Sequence, residues 1–125
     1  MPQTNAEFTI DLTPADPLQP ATGRHDFSKT WTGGLAGTST GTMLSAGDQA
    51  AGAAGYVALE VFTGTLDNHE GSFALQQFGT MDASGMVLHY AIVPGSGTDA
   101  LTGLTGTLNL AVVDGQHRVV VAYNL

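Results

Sequence analysis

The chain has 125 residues and a mass of 12.8 kDa, about the modal size of one domain, and a chain this long buries roughly two thirds of its unfolded surface in one core. Hydrophobic residues make up 42% and charged residues 11%, which excludes a disordered polyelectrolyte. Eleven acids stand against Arg24, Lys29 and Arg118, and the net charge of −8 argues against nucleic acid and anionic membrane surfaces, because both need clustered Lys or Arg.

Apolar stretches such as Val119-Val120-Val121-Ala122 fall far short of the ~20 residues that span a bilayer. The segment from Met1 to Glu7 has neither a basic region nor an apolar one, so no secretory signal is expected and the cytoplasm is the expected location. Zero cysteines remove disulfides, thiolate metal sites, iron–sulfur clusters and cysteine nucleophiles together.

Seventeen glycines, many threonines and valines, and no sustained 3.6-residue apolar period predict short twisted strands joined by tight turns. Strands are expected near residues 6–13, 24–33, 35–45, 54–66, 71–80, 86–93, 104–113 and 116–124. Between the first two, the proline-rich run Thr13 to Pro20 reads as an extended surface connection. Turn chemistry marks most other breaks: Gly33-Gly34, Gly47-Asp48-Gln49, Asp67-Asn68-His69-Glu70, Asp82-Ala83-Ser84-Gly85 and Asp114-Gly115.

Asp114-Gly115 is the clearest, because Asp-Gly between two alternating runs is a favoured two-residue hairpin loop. It sets Val113 opposite Gln116, Leu110 opposite Val119 and Leu108 opposite Val121, so that Leu108, Leu110, Val112, Val119, Val121 and Tyr123 share one face. The segment Pro94 to Leu104 exceeds a hairpin loop, and Leu101 and Leu104 are expected to pin it over one end of the fold. Eight successive antiparallel strands with no helix to cover their edges predict a single all-β domain spanning residues 1–125, closed or nearly closed into a barrel. The alternative, an immunoglobulin-like sandwich, lacks its Cys…Trp…Cys core.

Three stretches, taken in order, carry a family resemblance: Leu59-Glu60-Val61-Phe62-Thr63-Gly64-Thr65-Leu66, then Gly71-Ser72-Phe73-Ala74-Leu75-Gln76, then Val93-Pro94-Gly95-Ser96-Gly97-Thr98 followed by Leu101-Thr102-Gly103-Leu104-Thr105-Gly106. Over roughly residues 54–125 the chain resembles a family of small bacterial proteins, a domain of unknown function with an allene-oxide-cyclase-like eight-stranded barrel. The resemblance implies the barrel and carries no reaction with it.

Centring the hairpin between residues 54–66 and 71–80 on Asn68 puts Glu60 opposite Gln76, Phe62 opposite Ala74 and Ala58 opposite Phe78. The following hairpin adds His89 or Tyr90 beside Gln76, depending on its register. If this face lines the barrel, Glu60 becomes a general acid or base set by Gln76 and completed by His89 or Tyr90, suited to cyclase- or isomerase-type proton transfer on an apolar substrate. If it points outward, the aliphatic face of Val57, Leu59 and Val61 fills the lumen. That is the favoured arrangement for a small barrel, and the exposed mixed face with Tyr56, Phe62 and Phe78 then predicts a homo-oligomer, most simply a dimer.

Trp31, Phe62, Phe78 and Arg118 are the candidate ligand contacts. The histidines His25, His69, His89 and His117 show no metal-ligand spacing, and Gly95-Ser96-Gly97-Thr98 lacks the pattern of a phosphate loop or a serine elbow. No metal or cofactor is expected. The reading is therefore a barrel that binds a small apolar or amphipathic molecule, with or without acid–base chemistry, against the alternative of a solid barrel serving as a structural or interaction module.

Overall fold

The computed structural model describes residues 2–125. Eight strands follow one another: β1 (Gln3–Ala15), β2 (Thr22–Gly33), β3 (Leu35–Asp48), β4 (Ala53–Leu66), β5 (His69–Asp82), β6 (Gly85–Ile92), β7 (Thr105–Val113) and β8 (Gln116–Asn124). Each pairs antiparallel with the next and β8 returns to β1, which closes the barrel. Among the described residues the one helical feature is a 3₁₀ turn at Asp99–Leu101. No helix among the described residues is long and apolar enough to cross a membrane.

The Asp114-Gly115 hairpin has the expected register, with Leu110 opposite Val119 and Leu108 opposite Val121, and its aliphatic face points into the barrel. The β4–β5 hairpin does not have the expected register. Asp67 and Asn68 both take positive φ, +45° and +70°, and form a two-residue loop of the kind whose twist matches the flanking strands. Glu60 therefore faces Leu75, Phe62 faces Phe73 and Ala58 faces Gln77.

That one-residue difference turns every β5 side chain over relative to β4, so that Leu75 and not Gln76 shares the face of Glu60. Glu60 and Phe62 point inward and Gln76 points outward. The aliphatic face of Val57, Leu59 and Val61 also points outward and is more than half exposed, so it does not fill the lumen.

The interior has two unlike halves. At one end, Trp31, Leu35, Phe62, Leu66, Phe73 and Leu75 pack with the buried faces of β1 and β8. The connection after β6 lies across this end, with Leu101 and Leu104 fully buried. Ser96 and Thr98 tie it down by donating and accepting along β5: the Ala74 amide donates to Ser96 Oγ at 2.9 Å and the Thr98 amide donates to the Ser72 carbonyl at 2.9 Å. Asp67 joins the same end together, accepting from the Thr4 hydroxyl at 2.8 Å and the Tyr123 phenol at 2.5 Å.

The other end is open. There β6 and β7 pair only through Ala91–Thr107 and Ile92–Gly106, so the two strands part toward this end and leave the barrel unsealed.

Candidate functional site

Between the packed half and the open half lies a buried polar cluster. Lys29 on β2 alternates with Phe27 and Trp31, so all three share the inward face. Ser39 on β3 stands directly opposite Lys29, and Gly41, two residues on, stands opposite Glu60 on β4. A Cβ at Gly41 would lie 2.6 Å from the Phe27 ring and 2.7 Å from Glu60 Cβ, so the glycine makes the room in which those two side chains fit.

Glu60 is 1% exposed and its carboxylate takes three donors. Lys29 Nζ donates to Oε1 at 2.9 Å, the Tyr90 hydroxyl donates to Oε1 at 2.8 Å, and the Ser39 hydroxyl donates to Oε2 at 2.7 Å. Trp31 Nε1 donates to Ser39 Oγ at 2.9 Å, and Lys29 donates a second time, to the Tyr90 oxygen at 3.0 Å. The ammonium also lies 4.3 Å from the centre of the Phe8 ring, with Phe27, Trp31 and Tyr90 within 5.5 Å, a desolvated setting in which ring faces attract a cation.

Burial lowers the Lys29 pKa, opposed by the charge and hydrogen bond of Glu60. Burial, reinforced by Glu60, raises the Tyr90 phenol far above its ordinary value, so it stays protonated and donates. The ion pair is dry, matched and hydrogen-bonded on both sides, which is the arrangement that makes a buried pair tolerable. It links β2, β3, β4 and β6 across the lumen.

Above this layer lies a cavity of about 740 Å³. His25, Met43, Ser45 and Tyr56 line the wall made by β2, β3 and β4, and Met81, Leu88, Leu110 and Val112 line the other side. Neither Glu60 nor Lys29 nor Tyr90 belongs to the lining. Gln77 Nε2 donates to the Tyr56 hydroxyl at 2.6 Å, while burial raises the Tyr56 pKa against that bond, leaving a protonated phenol on the polar wall. His25 Nδ1 is buried without a hydrogen-bond partner, the one such side-chain atom among the described residues.

The expected site residues are thus divided. Glu60 and Tyr90 come together, though in the ion-pair layer beneath the cavity. Trp31 and Phe62 are buried in the packed half and do not line this cavity, so they pack as core residues where ligand contacts were expected. The β5–β6 loop holds two residues and sets Gln77 opposite Tyr90, which turns Gln76 and His89 outward, away from Glu60. Phe78 also faces outward, its ring centre 5.2 Å from that of His89. Arg118 is on the exterior, 3.4 Å from Glu7, in a shallow depression of about 570 Å³ between β1 and β7. Lys29 and Ser39 are not among the expected site residues, although the alternation Phe27-x-Lys29-x-Trp31, with one of only three basic residues between two aromatics, is a signal for a buried cation.

No group of three or more His, Asp or Glu side chains among the described residues is placed to hold a metal ion. Residues 4–123 match the profile of a protein family of unknown function, DUF3224. The chain belongs to the DUF3224 family. A DUF3224 protein of unknown function from Shewanella oneidensis has a crystal structure that superposes with a TM-score of 0.92 at 38% identity, covering 100% of this chain and 98% of that one. No curated protein matches the chain.

Proposed function

We propose that this protein binds a small apolar or amphipathic molecule in the open half of its barrel. The observation that carries this reading is the cavity of about 740 Å³, inside the ~300–1,000 Å³ typical of ligand pockets, in a barrel whose other half is packed solid. Its rim keeps apolar side chains in water, Met86 at 80% exposure the most of all, and apolar surface of this kind gains by being covered. An allene-oxide-cyclase-like barrel, which the sequence resemblance implies, is consistent with this use. Proton transfer by Glu60 draws no support from its position, since the carboxylate already accepts three hydrogen bonds and does not reach the cavity.

Nile red, an uncharged apolar dye, tests the reading. The wild type is expected to bind it with blue-shifted emission, and Ala54→Trp or Val112→Trp, which fill the cavity from opposite walls, to weaken binding at least tenfold without lowering Tm. No blue-shifted binding, or undiminished binding in both variants, contradicts the proposal.

The outer wall of β4, β5 and β6 supports a second, compatible reading. Cross-strand rows there join Leu44, Val57, Phe78 and His89, and next to them Thr42, Leu59, Gln76 and Ala91. Leu59 is 58% exposed at the centre. Outward positions from Val57 to Thr65, Ser72 to Thr80 and Val87 to Ala91 hold no Asp, Glu, Lys or Arg, whereas the opposite wall carries Glu7, Asp11 and Arg118. In a chain of net charge −8 a self-contact brings acid against acid on most faces but not on this one. A second copy of the chain is therefore the occupant we infer. Light scattering is expected to give twice the 12.8 kDa chain mass for the wild type and the single mass for Leu59→Asp. A monomeric wild type contradicts this reading.

A further inference from the structure

In an up-and-down barrel alternate hairpin loops return to the same end. The open end is accordingly ringed by the connections β1–β2, β3–β4, β5–β6 and β7–β8, whose neighbouring residues line the cavity. Each of the four carries an exposed aspartate where the incoming strand finishes: Asp16, Asp48, Asp82 and Asp114. The segments Asp16–Ala21, Asp48–Gly52, Asp82–Gly85 and Asp114–Gly115 contain no Lys, Arg or His. Arg24 on β2 and Arg118 on β8, both near this end, are paired with Asp26 at 3.3 Å and Glu7 at 3.4 Å, and no Lys or Arg lines the cavity.

An apolar funnel with a rim of one sign, in a protein of net charge −8, concentrates negative potential over its opening. Within the cavity, apolar and thioether side chains dominate one side, and the polar wall opposite offers Ser45, Tyr56 and the unpaired His25. Resting on the binding reading above, we propose that the occupant is a cationic amphiphile. Its apolar body lies against Met81, Leu88, Leu110 and Val112, and its positively charged nitrogen stays hydrated at the aspartate rim. A charge that remains in water avoids the cost of burial, so the rim discriminates without a buried ion pair. An anionic amphiphile of the same length meets four carboxylates and is rejected.

Two of the rim carboxylates also hold their loops, and asparagine preserves that role. Asp48 Oδ1 accepts from the Ala51 amide at 3.2 Å, and Asp82 Oδ1 accepts from the Ser84 amide at 2.8 Å and the Ser84 hydroxyl at 2.5 Å. Asparagine accepts the same bonds, and Asn-Gly is as good a hairpin loop as Asp-Gly. The variant D48N/D82N/D114N thus removes charge and keeps turn chemistry.

The experiment is displacement of Nile red by decyltrimethylammonium, decanol and decyl sulfate, each below its micellar concentration. In low salt the cation is expected to displace the dye at a concentration at least tenfold below that of the sulfate, with decanol between them. The gap closes in D48N/D82N/D114N, and it narrows at about 0.5 M salt, where the Debye length is a few ångströms. Nile red itself binds the variant as it binds the wild type, which shows the cavity intact. Equal potency of cation and sulfate on the wild type, or a gap that survives in the variant, overturns the charge selectivity while leaving the cavity reading in place. Failure of Nile red to bind overturns both.

Discussion

Replacing Lys29 with methionine is expected to cost about 3–5 kcal/mol of stability, the usual penalty for breaking a buried ion pair from one side. For a chain of 125 residues that is a fall of roughly 10–20 °C in Tm. Methionine matches the length of the lysine stem and keeps contact with the Phe8, Phe27 and Trp31 rings, so lost packing contributes little. What remains is the Glu60 carboxylate, 1% exposed, with two hydroxyl donors and no countercharge. Glu60→Gln is expected to be costly for the mirror reason, leaving the ammonium sealed beneath the cavity without its anion. The double variant K29M/E60Q removes both charges and keeps one carbonyl acceptor where Ser39 and Tyr90 donated to two oxygens, so it is expected to cost less than the sum of the single changes though more than nothing. Thermal denaturation of the four proteins closes this cycle. A Lys29→Met protein within 1 kcal/mol of wild type contradicts the described ion pair.

Gly64→Ala is expected to be of similar severity, about 3 kcal/mol or more, from backbone strain added to overpacking. Gly37 and Gly64 are direct cross-strand partners in the packed half, with φ of +150° and +154°. A Cβ on Gly64 would lie 2.2 Å from the Ala36 carbonyl oxygen and 2.9 Å from Gly37 Cα, and one on Gly37 would lie 2.2 Å from the Thr63 oxygen. In each case the obstacle is backbone, which cannot swing aside, so β3 and β4 must separate where Trp31 and Phe62 fill the lumen. Gly23→Ala is the contrasting change: its Cβ would meet only the Ser45 hydroxyl, at 2.7 Å, and a rotamer change there relieves the contact. Chemical denaturation is expected to place Gly23→Ala within about 1 kcal/mol of wild type, with Gly64→Ala strongly destabilised or insoluble.

Much of the fold was legible because strand-forming residues, alternation and turn residues agreed with one another. The Asp114-Gly115 loop even fixed side-chain pairing, since its favoured geometry admits a single register. The β4–β5 hairpin was less transparent for a physical reason. Asp67-Asn68-His69-Glu70 offers several polar residues that tolerate a turn, and two-residue and three-residue loops differ only in which of them take positive φ. From that ambiguity came the opposite facing of Gln76, whereas the aliphatic lumen was expected from the aliphatic character of Val57, Leu59 and Val61.

The site was only half visible for a related reason. Glu60 and Tyr90 were recognisable as chemistry-bearing side chains, but their partners Lys29 and Ser39 stand on β2 and β3, joined to them across the lumen and not along the sequence. The cavity itself was not legible, because it arises where β6 and β7 part, and parting follows from the short β6–β7 ladder and from no single residue. The rim aspartates were each visible as a turn residue. Their common address at one end appears only once the eight strands close.

Methionine methyl NMR tests the central claim most directly, because three of the four methionines, Met43, Met81 and Met86, line the cavity. In a sample labelled at the methionine methyl carbons and titrated with decyltrimethylammonium or Nile red, these three resonances are expected to shift together and saturably. The same titration of Ala54→Trp is expected to leave them nearly still. Resonances that do not move at saturating probe, or that move equally in the Trp-filled variant, contradict a binding site in the open half of the barrel.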